Sequence, residues 1–155
     1  MTRAYFSLGS NLGRRGEYLA LGVAIMSAGD PHRSSRVYRS EPVGPVPQDD
    51  FWNLVLEVET SATPYELLGR VRQAESAALR IRTEHWGPRT LDVDIIWIDG
   101  VRSEEKELTL PHPRLYERNF VLVPWRELRP DLVGDDHLRL GRGAVEFLGT
   151  LETLL

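Results

Sequence analysis

Two carboxylates one residue apart, Asp92 and Asp94, sit inside the apolar, β-branched stretch Leu91 to Ile98. In a strand, Leu91, Val93 and Ile95 take one face and the aspartates take the other. Residues i and i+2 on one face are about 6.6 Å apart, so both carboxylates can converge on hard cations. Two such ions can clamp the attacking and leaving oxygens of a phosphoryl displacement. For an isolated Asp-x-Asp, a solvated face paired with arginines is the better reading. Directly upstream, Trp86-Gly87-Pro88-Arg89-Thr90 puts an aromatic ring and a cation on a loop feeding the carboxylates. Arg80, Arg82 and Arg89 lie on this same loop. Three guanidiniums beside two carboxylates suit a polyphosphate carrying its metals; a structural charge network is the competing reading.

The positions that must hold these groups follow from the pattern of apolar residues. Ala4 to Leu8 reads as a strand stopping at the turn cluster Gly9-Ser10-Asn11. A helix from Gly16 is closed by Gly29 and Pro31, and a strand is expected over Arg33 to Ser40. Glu41 to Asp50, with three prolines, is a loop. Phe51 to Glu59 alternates as a strand with one wet face. Thr63-Pro64 opens a helix to about Leu79, Thr63 capping and Pro64 suiting the first turn. Arg80 to Arg89 is a second polar loop, and Leu91 to Ile98 is a strand closed by a turn at Asp99-Gly100. Glu107 to Pro113 is extended, Tyr116 to Leu128 forms helical turns around Pro124, and Arg142 to Leu155 reads as an amphipathic helix. The order β-α-β-β-α-β plus a helical C-terminal extension predicts an α+β fold, a ferredoxin-like split βαβ sheet with helices on one face.

Composition narrows the function classes. The 155 residues read as one catalytic-sized domain, 1–155, able to fold without staples. Cysteine is absent, which excludes disulfide and thiolate chemistry. A net charge of -4 argues against coating nucleic acid or anionic membrane. Every basic residue except Lys106 is arginine, which binds phosphate bidentately, although biased genome composition explains the same count. No secretory signal or bilayer-length apolar run is present, so a cytoplasmic location is the expectation. Gly9-Ser10-Asn11 lacks the lysine and spacing of a Walker loop and reads as a structural turn. His32, His85 and His137 have no ligand spacing with His112.

Four stretches carry a family resemblance: Ser7-Leu8-Gly9-Ser10-Asn11-Leu12-Gly13, Tyr38-Arg39-Ser40-Glu41-Pro42, Trp86 through Ile95, and Leu110-Pro111-His112-Pro113-Arg114. With their spacing they span about Ala4 to Leu132. The chain resembles the 6-hydroxymethyl-7,8-dihydropterin pyrophosphokinases, folate-pathway enzymes that move diphosphate from ATP onto a pterin hydroxymethyl group.

The resemblance implies that Asp92 and Asp94 bind two magnesium ions bridging the ATP phosphates, Asp92 also lying near the substrate hydroxyl. It implies triphosphate contacts from Arg80, Arg89, His112 and Arg118. Arg82 and Trp86 would belong to a closing catalytic loop, with Arg82 and Arg89 catalytic and Trp86 on the nucleotide. Glu75, Ile95 and Thr109 would line the nucleotide side. Ser40, Pro42, Val43, Phe51, Asn53 and Phe120 would hold the pterin, two aromatic faces stacking on the ring and the Asn53 amide reading its edge. Core packing is the competing reading for both phenylalanines. The implied partners are ATP and a pterin, with no nucleic acid, no membrane and a monomeric chain.

Three positions depart from the family pattern. His85 stands where an arginine often precedes the loop tryptophan, Glu107 replaces a basic or polar position, and Phe51 replaces a tyrosine. Two rival readings remain at this level. One is a non-catalytic nucleotide- or RNA-binding module, although an RNA-reading sheet would show paired aromatics and a basic surface. The other is a different magnesium-dependent nucleotidyl or phosphoryl transferase.

Overall fold

The computed structural model describes residues 1–78 and 90–155. Its elements run β1 (Thr2–Ser10), α1 (Arg15–Ser27), β2 (His32–Ser34), β3 (Val37–Ser40), β4 (Phe51–Thr60), α2 (Pro64–Ala78), β5 (Asp92–Ile98), β6 (Ser103–Glu105) and β7 (Leu108–Leu110). A 3-10 turn (Leu115–Glu117), α3 (Asn119–Leu128), α4 (Asp135–Leu140), β8 (Val145–Gly149) and α5 (Leu151–Leu154) follow. The main sheet is antiparallel in the order β5-β1-β4-β3-β8, with β2 also on β4; β6 and β7 form a separate hairpin. The α+β reading holds.

The expected strand over 33–40 is two short strands on β4, joined where Ser35 donates its N–H to Val55 O at 2.8 Å and accepts the Val55 N–H on Oγ at 2.9 Å. Helix α2 starts as its sequence dictates: Thr63 Oγ1 accepts from Glu66 N, and Glu66 Oε1 accepts from Thr63 N, a reciprocal capping box. Helix α1 lies close on the sheet because Gly22 has no side chain; a Cβ there would come within 2.7 Å of Leu8 Cδ2.

Two expectations fail here. Helices cover both faces of the sheet, not one. Phe6, Leu8, Leu54, Leu56, Val93 and Ile95 pack with Leu19, Met26, Leu67 and Val71 of α1 and α2. Tyr5, Val55 and Ile96, on the opposite face, pack with Val121, Leu122, Trp125 and Leu128 of α3. The face of β4 expected to be wet is therefore buried. Even Glu57 is only 6% exposed, its carboxylate accepting from Tyr5 Oη at 2.6 Å and Arg33 Nε at 2.9 Å. A buried carboxylate without such donors would be costly.

The C-terminal segment is the second correction. Instead of one helix over 142–155, Val145–Gly149 is a strand on β3 and only Leu151–Leu154 is helical. Gly143 at φ +92 and Gly149 at φ +148 adopt conformations that L-residues avoid and that a helix does not contain. The open edge of β3 supplies the ladder hydrogen bonds that 145–149 then makes. Among the described residues, no helix is long and apolar enough to cross a membrane.

Candidate active site

Cross-strand pairing carries residues from four strands into one row. Asp92 on β5 pairs with Gly9 on β1, Gly9 with Asn53 on β4, and Asn53 with Tyr38 on β3. Directly paired residues share a face, so Asp92, Gly9 and Asn53 lie side by side. Asp94 and Ser7 pair in the parallel row beneath. This is the face that α3 covers farther along the strands, over Tyr5, Val55 and Ile96. Helix α3 stops short of the Ser7, Gly9, Asn53 and Asp94 positions, and a cleft of about 910 Å³ opens there. Gly9 forms its floor at close quarters: a Cβ would lie 3.2 Å from Asn53 Oδ1 and 3.4 Å from the Phe51 ring.

The cleft wall opposite the aspartates is built on a buried amide. Asn53, 2% exposed, donates Nδ2 hydrogen bonds to Ser40 Oγ at 2.8 Å and Tyr38 O at 3.2 Å. Satisfied this way, the amide is held in one orientation. The loop over 41–50 above it is tied down at its end. Asn11, buried after β1, donates through Nδ2 to Gln48 Oε1 at 2.7 Å and Asp49 O at 2.9 Å, and Arg15 donates to Asp50 O at 2.8 Å. Gly9 and Ser10 continue β1, paired with Asn53 and Trp52, instead of forming the expected turn, and Asn11, just past the strand, is the anchor of this loop.

A second cavity, of about 360 Å³, lies between α2, β5 and the β6–β7 hairpin, and it shares Glu75 and Asp94 with the cleft. Glu75 Oε2 accepts the main-chain N–H of Val93 at 3.0 Å. His112 lines this cavity; its Nδ1 accepts the Arg114 N–H at 3.1 Å, which puts the proton of the neutral ring on Nε2. Burial pushes the His112 imidazole below its ordinary value; Asp94 opposes this, and Arg118 and Arg114 add to it. The neutral ring therefore offers an N–H donor at neutral pH.

The described candidates fall into these two spaces. Ser40, Pro42, Val43, Phe51, Asn53, Phe120, Arg118, Asp92 and Asp94 line the cleft. Ile95, Thr109 and His112 line the smaller cavity, and Glu75 and Asp94 border both. Val43, 81% exposed, stands at the rim. Phe51 and Phe120 both stay partly exposed on the cleft, and Phe120 also packs against the α3-side core, so its core-packing reading holds in part. Glu107, one of the three departures, also lines the smaller cavity and pairs with Arg72 at 3.7 Å. Arg80, Arg82, His85, Trp86 and Arg89 lie outside the described residues.

Sequence reasoning did not single out Ser7, Arg114 or Arg142, which also line the cleft. Strand period places Ser7 two residues before Gly9 on the same face, and Arg114 closes the stretch Pro111-His112-Pro113, so both were within reach. Nothing local marks Arg142.

As a site for metal, Asp92 and Asp94 present two hard carboxylates on one wall of the cleft, and among the described residues no cluster of three or more ligating side chains occurs. Two carboxylates with the remaining positions left to phosphate oxygens and water is the donor set that magnesium takes when it arrives on a nucleotide. The residues fit that role.

Comparison with known proteins agrees with this arrangement. A family model described as 7,8-dihydro-6-hydroxymethylpterin-pyrophosphokinase (HPPK) matches residues 5–130. The chain is 42% identical over 128 residues to the 2-amino-4-hydroxy-6-hydroxymethyldihydropteridine pyrophosphokinase of Bacillus subtilis (strain 168), covering 81% of this chain and 77% of that one. It is 41% identical over 136 residues to the protein of the same name from Methylorubrum extorquens, covering 86% of each. A solved structure, the Plasmodium falciparum HPPK-DHPS with SDX-DHP, aligns with a TM-score of 0.55 at 14% identity, over 99% of this chain and 43% of that longer one, a likeness of fold alone. With the family model spanning most of its length and relatives above 40% identity, the chain belongs to the 7,8-dihydro-6-hydroxymethylpterin-pyrophosphokinase family.

Proposed function

We propose that the chain transfers the β,γ-diphosphoryl group of ATP to the hydroxymethyl oxygen of 6-hydroxymethyl-7,8-dihydropterin, releasing AMP. The observation that carries this reading is the shared row of Asp92, Gly9 and Asn53: a carboxylate and a heterocycle-reading amide face one cleft across a single residue without a side chain. The pterin lies between Phe51 and Phe120, its edge on Asn53 and Ser40. The nucleotide base occupies the smaller cavity beside Ile95 and Thr109, and the phosphates pass Glu75 and Asp94 into the cleft.

The substrate hydroxyl oxygen attacks the β-phosphorus in line. The new O–Pβ bond forms as the bond from Pβ to the α,β-bridging oxygen breaks, and AMP leaves with that electron pair. The hydroxyl proton passes to the Asp92 carboxylate. No protein nucleophile takes part; positioning and charge do the work. Asp92 and Asp94 would hold two magnesium ions, which when bound offset charge on the phosphate oxygens. His112 donates from Nε2 and Arg118 from its guanidinium to the triphosphate, and the family resemblance gives Arg80, Arg82, Arg89 and Trp86 further roles toward the nucleotide. The antiparallel order β5-β1-β4-β3 with α1 and α2 on one side supports reading the scaffold as a split βαβ unit.

Incubation with ATP, magnesium and the pterin tests this. Release of AMP in step with diphosphorylated pterin is expected; ADP instead, or release indifferent to the pterin, would assign the chain to another phosphoryl transferase. Binding without any turnover would make it a binding module.

A further inference from the structure

Three arginines line the cleft, Arg114, Arg118 and Arg142, and among the described residues none of them is held in an ion pair, whereas Arg3, Arg33, Arg36, Arg70 and Arg129, elsewhere in the fold, are. Arg142 stands apart from the other two because it lies beyond residues 5–130, the part of the chain that the family model matches.

Its position is closely determined. The main chain at Arg142 bridges in parallel to Arg118. Arg142 N donates to Glu117 O at 2.9 Å, and Arg142 O accepts from Asn119 N at 3.0 Å. Asn119 also donates through Nδ2 to Gly141 O at 3.2 Å and Gly143 O at 3.1 Å. A Cβ at Gly141 would sit 2.1 Å from Asn119 Oδ1, and Gly143 has φ +92, so this path is open only to glycine on either side. Three residues on, Val145 pairs with Ser40 of the pterin wall. Arg142, itself exposed, thus borders the cleft between the Arg118 side and the Ser40 side.

We propose that Arg142 is a further phosphate-contacting residue, gripping the diphosphoryl group as it passes from nucleotide to pterin; this rests on the diphosphoryl-transfer reading above. A guanidinium with no ion-pair partner, on a residue whose main chain bridges to Arg118, suits phosphate oxygens, which take paired N–H donors at full negative charge, better than an uncharged pterin ring, on which it can only stack or make neutral hydrogen bonds. The rigid double-glycine mounting lowers the ordering cost of the contact.

Binding of α,β-methylene-ATP with magnesium, which cannot undergo cleavage between its α and β phosphates, is measured by calorimetry for the wild type, Arg142→Ala, Arg142→Lys and the surface control Arg126→Ala. Pterin binding alone and melting temperature are measured in parallel. Arg142→Ala is expected to weaken the nucleotide analogue about tenfold, to leave pterin affinity within about twofold and to melt with the wild type, and Arg142→Lys to recover part of the loss. Nucleotide affinity unchanged in Arg142→Ala, or lost together with pterin affinity and melting temperature, overturns the assignment. A wild type that releases no AMP with both substrates present overturns the diphosphoryl-transfer reading itself, and the Arg142 role with it.

Discussion

Glu75 on α2 takes the main-chain N–H of Val93 at 3.0 Å, so a helix carboxylate fastens β5 at the residue between the two aspartates. Because Glu75 borders both cavities, this bond fixes the point where they join. Glu75→Gln keeps an acceptor for Val93, and Glu75→Ala removes it. We expect Glu75→Ala to cost about 1 kcal/mol of stability in urea unfolding and about tenfold in kcat/KM, with Glu75→Gln near the wild type in stability. Equal destabilisation by both substitutions would show that charge, not the hydrogen bond, holds the strand.

Asp94 is exposed on the cleft and pairs with Ser7 across the sheet. Replacing it with asparagine removes one hard ligand and keeps the shape. Stability should stay within about 0.5 kcal/mol, as for an exposed site, while turnover falls by at least about 100-fold. Undiminished AMP release at saturating magnesium would remove Asp94 from the metal site.

Gly9 floors the cleft with Asn53 Oδ1 3.2 Å from where a Cβ would stand. Gly9→Ala should push the amide and the Phe51 ring off position by a few tenths of an ångström, an overpacking worth about 1–3 kcal/mol. The pterin KM should rise with nucleotide affinity little changed. A rise in both KM values alike would point to general disorder of the sheet rather than a local clash.

Two buried phenols give the fold an alkaline limit. Burial, aided by a hydrogen bond to Glu57, pushes Tyr5 up to about 12 against the opposing Arg129, and burial with the Glu127 partner pushes Tyr38 up to about 12. The unfolded chain releases these protons near pH 10, so between about pH 10 and 12 it binds fewer protons than the folded chain. Stability is then full below pH 10 and falls as pH rises, by up to about 1.4 kcal/mol per unit for each phenol. Urea unfolding at stepped alkaline pH should show this slope. The double variant Tyr5→Phe, Tyr38→Phe should keep only the shallower part due to Tyr116, whose phenol is raised in the same direction. An unchanged slope would mean other groups set the limit.

Much of the site was legible because strand period is local. The alternation that sends Asp92 and Asp94 to one face needs only the residues between Leu91 and Ile95, while Asn53 was marked by the family resemblance. Thr63 and Glu66 likewise spell out their own helix start. The alternation stops being a guide after Ile95, where the register between β1 and β5 shifts: Tyr5 pairs with Trp97 and Phe6 with Ile95, leaving Ile96 as an extra residue. Ile96 and Trp97 then both pack toward α3, which no period of two describes.

What the amino-acid order determined by itself, then, was the chemistry and its local direction: which face carries the carboxylates, where the 41–50 loop falls, and which family the motifs resemble. Tertiary structure alone decided that α3 roofs half of the sheet face and leaves the other half as a cleft, because that depends on how far ten helical residues reach across strands distant in sequence. It also decided that 145–149 pairs with β3 as a strand, since a leucine-rich tail satisfies its backbone wherever a free edge is offered, and only the folded sheet offers one.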